Sequence, residues 1–324
     1  MSDTTTAAGG QKLRQATRLT SGQAAALAQQ HGLIPAGIRP PLREYLKEIW
    51  KRRDFIWNLS ASRAYARNQG SYLGQAWTVL RPILDAAVFV IIFGIVLQAT
   101  GGMPNRIAFI VVGTFTYTLF NGSVMAGLNS IRGNLLLIRS HQFPRAVVPL
   151  ASALTEIVLF GPILVAMFIL VLLSGTLPGM AWVLPQWSWL LVPFAAALLA
   201  LFSAGCSMIF ARLGARIPDL GNVVSFLLSL GRFASGVMFP IIPMVGLGNP
   251  FGPMVVFQPM AIFLELFRST LGVETRNATA RVSTTTWQTP APGVLWLVAA
   301  AWAVGIFALG FWFFWRTEET YGRD

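Results

Sequence analysis

Three ionisable side chains, Asp85, Glu156 and Arg232, sit inside long apolar runs of this sequence. A charge carried into hydrocarbon costs several kcal/mol unless it is paired or wetted, so such residues are functional candidates. Glu156 lies about nine residues into its run and Arg232 about ten into its own, which puts both at roughly 13–15 Å depth at 1.5 Å per residue. Matching depth predicts either an ion pair between them or a wet cavity beside each. Asp85 follows Arg81 by one helical turn, and a local pair at the membrane interface accounts for it. Two polar and aromatic sets also follow helical spacing: Tyr117, Phe120 and Asn121, and then Phe226, Ser229 and Phe233. Rings can stack on sugar faces while amides and hydroxyls bond sugar hydroxyls, although the same residues equally suit helix–helix packing.

Covalent chemistry finds little support. The chain holds no G-x-x-x-x-G-K-[ST] phosphate loop and so no nucleotide cradle. His31 and His141 are too far apart to pair by any helical spacing, and Cys206 is the only cysteine. Acidic residues are few and scattered. The sequence therefore predicts no catalytic residue, no cofactor site and no metal site of its own.

The elements that must position these residues follow from composition. Of 324 residues, 55% are hydrophobic and 11% charged, against about 25% charged in a soluble domain. The apolar surface must face lipid. The net charge is +12, and the segment from Arg39 to Arg81, just ahead of the first long apolar run, holds a dense share of the basic residues. That placement fits the positive-inside rule and argues against nucleic acid as a partner. Apolar runs predict six spans, near Leu80–Thr100, Ile107–Leu128, Val147–Ser174, Trp189–Ala211, Asn222–Ile242 and Val294–Trp315. Residues 1–38 read as a mobile cytoplasmic tail, 39–69 as an amphipathic helix in the headgroup layer, 70–316 as the transmembrane domain and 317–324 as a short cytoplasmic tail. Arginines in the 129–146 and 212–221 loops place both loops and both termini in the cytoplasm. Arg268, Arg276 and Arg281 dissent, in a long external region where that rule weakens. Pro243–Gly272 is apolar but broken by prolines and glycines, and it predicts a helix pair dipping back into the membrane from outside, with a loosely folded external loop as the alternative.

Three stretches carry a family resemblance. GSYLGQAWTVLRPIL (Gly70–Leu84), NLLLIRSHQFPRAVVPLA (Asn134–Ala151) and FQPMAIFLELFRSTL (Phe257–Leu271) resemble ordered motifs of the type-two ABC exporter permeases. The likeness covers about residues 40–316 and is greatest for the polysaccharide branch, which exports O-antigen, capsule, teichoic acid or cell-wall galactan. The alanine-rich text and extended tail resemble an actinobacterial galactan-lipid exporter. The departures are Gln258, where the family commonly has Asn, and Pro218–Asp219, where an Arg-Asp step is usual.

The resemblance implies an all-α integral membrane fold with an amino-terminal interface helix and an external re-entrant pair near Glu265 and Arg268. It implies a homodimer in the bacterial inner membrane, paired with two copies of a separate ABC ATPase that binds the ATP and Mg. The substrate would be a lipid-linked glycan, moved outward. Asn134–Arg145 would form the coupling helix on that ATPase. In it Leu135, Leu136, Leu137 and Ile138 offer an apolar contact and Arg132, Arg139 and Arg145 an ionic rim, with Phe143 and Pro144 setting the turn into the third span. The rival readings are a drug or lipid exporter permease and a membrane polyprenyl-phosphate glycosyltransferase. The last would need acidic residues grouped at one membrane face, and the sequence has none.

Overall fold

The computed structural model describes residues 41–97, 104–140, 144–217, 219–240, 254, 257–273 and 291–317. Among these, every regular element is helical. The predicted single interface helix is two: α1 (Leu42–Lys51) and α2 (Arg53–Ala66), which meet at Arg52. A turn then carries the chain into α3 (Ala76–Phe89), and Gly70 and Gly74 take the positive φ it requires, 92° and 49°. α3 runs on through a π-helical stretch, Val90–Val96.

α4 (Arg106–Ser130) is followed by a 3₁₀ turn, Arg132–Asn134, and the short α5 (Leu135–Ser140). The third expected span is α6 (Val147–Ser174). α7 (Val192–Arg216) is extended at its start by the 3₁₀ turn Trp187–Leu191. α8 (Leu220–Ala234), α9 (Pro259–Leu271) and α10 (Pro292–Trp315) complete the bundle.

Five of these helical stretches are long and apolar enough to cross a bilayer: α3 with its π-helical extension, α4, α6, α7 with its preceding turn, and α10. The expected fifth span, Asn222–Ile242, is represented by α8, whose 15 residues reach about 22 Å, short of a hydrocarbon core of roughly 30 Å. Turns at Ser235 and Gly236 end it early. The first member of the expected re-entrant pair lies outside the described residues. The expected second member coincides in sequence with α9, a short helix of which most residues are buried. Pro259 opens it, and Gly272 closes it in the left-handed conformation at φ 72°, letting Val273 donate to the Arg268 carbonyl at 2.9 Å.

α4 and α7 form the core, and α3, α6 and α10 keep much of their surface outward. In lipid the helices gain nothing hydrophobic by meeting, so close backbone contact must hold them. Glycines supply it between α7 and α10, where a Cβ on Gly205 would sit 2.6 Å from the Phe307 backbone. At one end Tyr45 of α1 is fully buried among Ile138, Ala146, Met208, Phe311 and Phe314, and its hydroxyl accepts from the Ala146 N–H at 3.1 Å. That cluster seats α1 and α5 on the ends of α6, α7 and α10.

Candidate functional site

Three clusters of charged side chains with their partners stand out among the described residues. The first is built by α2, where Ile56, Ser60, Arg63 and Arg67 follow at three- and four-residue steps on one face. That face lies along the start of α6. Ser60 donates to the Ala151 carbonyl at 2.9 Å, and Thr155 donates back to the Ser60 carbonyl at 3.4 Å. Arg63 reaches Ser152 at 3.4 Å and also donates to the Asn134 side chain in the turn before α5. One turn on, Arg67 grips Glu156 with both terminal nitrogens, the Nη1–Oε2 bond being 2.9 Å. Glu156 is 8% exposed and Arg67 43%. Gly122 of α4 makes the room: a Cβ there would lie 2.6 Å from Glu156 Oε2. Desolvation lowers the Arg63 guanidinium from its ordinary pKa, whereas the bond to Glu156 raises that of Arg67.

Of the two expectations for Glu156 and Arg232, a mutual ion pair or a wet cavity beside each, the mutual pair is not formed. Glu156 belongs to Arg67, and Arg232 faces Asp85 at 3.9 Å. Depth along a span says nothing about which way a helix turns its side chains. α6 and α8 both pack on α4 and α7, but Glu156 turns from α6 toward Arg67 and Arg232 turns from α8 toward Asp85 of α3. The local Arg81–Asp85 pair gives way for the same reason: Arg81 lies over the Trp77 ring at 5.9 Å instead. Around Arg232, the Phe89 and Tyr117 rings stand at 5.6 and 5.5 Å and form the second cluster.

The two aromatic sets do not share a surface. The Tyr117 hydroxyl donates to the carbonyl of buried Leu228 at 2.7 Å, and its ring begins a ladder through Phe120 and Phe202 to Phe263 at 5.7, 5.7 and 5.1 Å. These residues cement α4, α7 and α9, with Asn121 half-buried beside them. Phe226 and Ser229 are exposed on α8, with Ser229 donating to the Ser225 carbonyl of its own helix, and Phe233, also exposed, meets the Phe93 ring at 6.3 Å.

The third cluster centres on Arg268, 3% exposed in α9. Its Nη2 donates to the carbonyls of Gly236, Val237 and Phe109 at 2.9, 3.1 and 3.3 Å. The guanidinium stacks 3.4 Å over the Phe109 ring, and Glu265 stands 3.9 Å away. The expected residues of the 134–145 stretch are divided. Ile138 is buried, Leu135 and Leu137 are half-buried, and Leu136 stands 86% exposed. Pro144 is buried and Arg145 half-buried, while the Arg139 side chain and the whole of Phe143 lie outside the described residues. No group of acidic, histidine or cysteine side chains among the described residues could hold a metal.

Sequence reasoning missed Arg63 and Arg67 as site residues. Their four-residue spacing in phase with Ile56 and Ser60 was the available signal.

Compared with known proteins, the chain matches a family model described as ABC-2 type transporter over residues 56–271. That stretch begins inside α2 and ends with α9, so it takes in all three clusters. The chain is 30% identical over 196 residues to the O-antigen export system permease protein RfbA of Myxococcus xanthus, covering 60% of this chain and 72% of that protein. It is 27% identical over 204 residues to the protein of the same description from Klebsiella pneumoniae, covering 62% and 74%.

Proposed function

The chain belongs to the ABC-2 type transporter family, and from that premise we propose that it is the permease subunit of an ATP-driven exporter of a lipid-linked polysaccharide. The observation that carries the reading is the likeness to two O-antigen export permeases across most of their length. Two copies of the chain would work in the bacterial inner membrane, with both termini in the cytoplasm. Two copies of a separate ABC ATPase would bind the ATP and Mg.

The stretch from Asn134 to Arg145 docks on that partner. Leu136, which this chain leaves uncovered, enters the partner's surface, and the arginines of the stretch form a charged rim. Arg63 gives the docked element a connection inward, since its two terminal nitrogens hold Asn134 before α5 and Ser152 in α6. A displacement of the turn therefore pulls on α2 and on the third span together. The exposed Phe226, Ser229 and Phe233 offer rings and a hydroxyl to passing sugars.

The test is a Phe143→Ala, Arg145→Ala double variant expressed in cells lacking the native protein. The expected result is loss of surface polysaccharide with the chain still inserted in the membrane at normal level. Normal surface display would overturn the docking assignment.

A further inference from the structure

A cavity of about 130 Å³ opens between α2, α3, α4 and α6, at the edge of the Glu156 cluster. Its lining is of two kinds. Arg67, Asn68, Thr78 and Arg81 supply polar groups beside Glu156, and the Asn68 amide donates to the Thr78 hydroxyl at 2.9 Å. Leu159, Phe160 and Ile163 of α6 supply an apolar wall.

The charges do not cancel. Glu156 takes both terminal nitrogens of Arg67. Arg81 then remains as the surplus cation, with the Trp77 ring as its contact and no hydrogen-bond or ion-pair partner among the described residues. Thr78 and Arg81 lie in the first two turns of α3, the start of a membrane-spanning stretch. That is the level at which cations meet headgroups. An anionic rim ligand would complete the hydrogen bonding of Arg81, and a hydrocarbon chain would cover the apolar wall. A free phosphate satisfies only the first need, and an uncharged sugar neither.

We propose that this cavity binds a phosphate-headed lipid, with its phosphate on Arg81 and the Asn68–Thr78 edge and its chain along Leu159, Phe160 and Ile163. The site requires only the bilayer and does not depend on the transport reading. Two sources share the chemistry: an anionic phospholipid of the membrane and a polyprenyl diphosphate.

Native mass spectrometry of the full chain decides between them. Dioleoyl phosphatidylglycerol, dioleoyl phosphatidylcholine and undecaprenyl diphosphate are added separately, and retained adducts are counted. At least one anionic lipid should be held about fivefold more than phosphatidylcholine, the effect expected of one cation near an anionic headgroup. Arg81→Gln should abolish that preference, and Arg43→Gln, in α1 away from the cavity, should keep it. A preference lost for phosphatidylglycerol identifies a bilayer lipid, and one lost for the diphosphate alone identifies a polyprenyl carrier. Equal retention by Arg81→Gln and the parent chain, or no preference in the parent, overturns the site. Thr118→Leu, which fills the cavity from α4 without touching a charge, should lower retention of the same lipid; unchanged retention there overturns the site even if Arg81→Gln does not accumulate.

Discussion

Replacing Arg268 with methionine is expected to destabilise the folded bundle by about 3 kcal/mol or more, the usual consequence of removing one member of a buried charged network. Methionine fills the volume but donates nothing. The carbonyls of Gly236 and Val237, just past the end of α8, have no later helical turn to accept from and would lose the N–H they depend on. Phe109 would lose its stacked cation and Glu265 its counter-charge. Lysine should not rescue the site, because one ammonium cannot both lie flat on a ring and serve carbonyls from α4 and from the turn after α8. Gly113→Ala should damage the same place, since its Cβ would fall 2.7 Å from Arg268 Nη2 and from the Val237 oxygen. Thermal unfolding in detergent, followed by tryptophan fluorescence, reads the effect. An Arg268→Met chain unfolding at the parent midpoint would show that α9 is not anchored by its arginine.

The second large effect is at Glu156. Arg67→Leu should cost about 3 kcal/mol, because it strands a carboxylate that is 8% exposed. Glu156→Leu should cost less, because Arg67 is 43% exposed and can turn its guanidinium to the headgroups. Exchanging the two, Arg67→Glu with Glu156→Arg, should recover part of what either reversal alone loses. Combining Glu156→Arg with Arg232→Glu should recover nothing. A double-mutant cycle on unfolding midpoints measures both couplings. A larger coupling to Arg232 than to Arg67 would contradict the packing described for α2 and α6.

Much of the bundle was legible in the sequence because hydrocarbon imposes a length and an apolar content that few soluble segments meet. Val147–Ser174 shows this well, as the apolar run and the helix coincide. α8 shows the limit: the apolar text continues past Ala234, but the chain turns at Ser235 and Gly236, and hydropathy is blind to a turn. The proline- and glycine-broken text of Pro243–Gly272 reads as short helix rather than a full span, as α9 is, while the carbonyls that Arg268 satisfies belong to α4 and to the turn after α8 and leave no local signal. Charge depth can be counted along each span, but the facing partner depends on helix rotation, so matching depth leaves a pair with Arg232 and a wet cavity both open and does not point to Arg67, which holds Glu156. Gly122 and Gly113 matter only through what a Cβ would strike, which no single-sequence pattern reveals. The apolar text of Leu135–Ile138 read as one docking face, yet helical geometry turns Ile138 inward and leaves Leu136 outside.

A permease driven by a separate ATPase to move a lipid-linked polysaccharide, as proposed, should tie that partner's ATP turnover to the glycan. The measurement is ATP turnover of the full chain reconstituted with its cognate ABC ATPase, with and without a lipid-linked polysaccharide. Turnover should rise when the glycan lipid is supplied and fall back when the Phe143→Ala, Arg145→Ala chain replaces the parent. Turnover indifferent to both the glycan and the double substitution, or polysaccharide moved by the chain with no ATPase present, would contradict it.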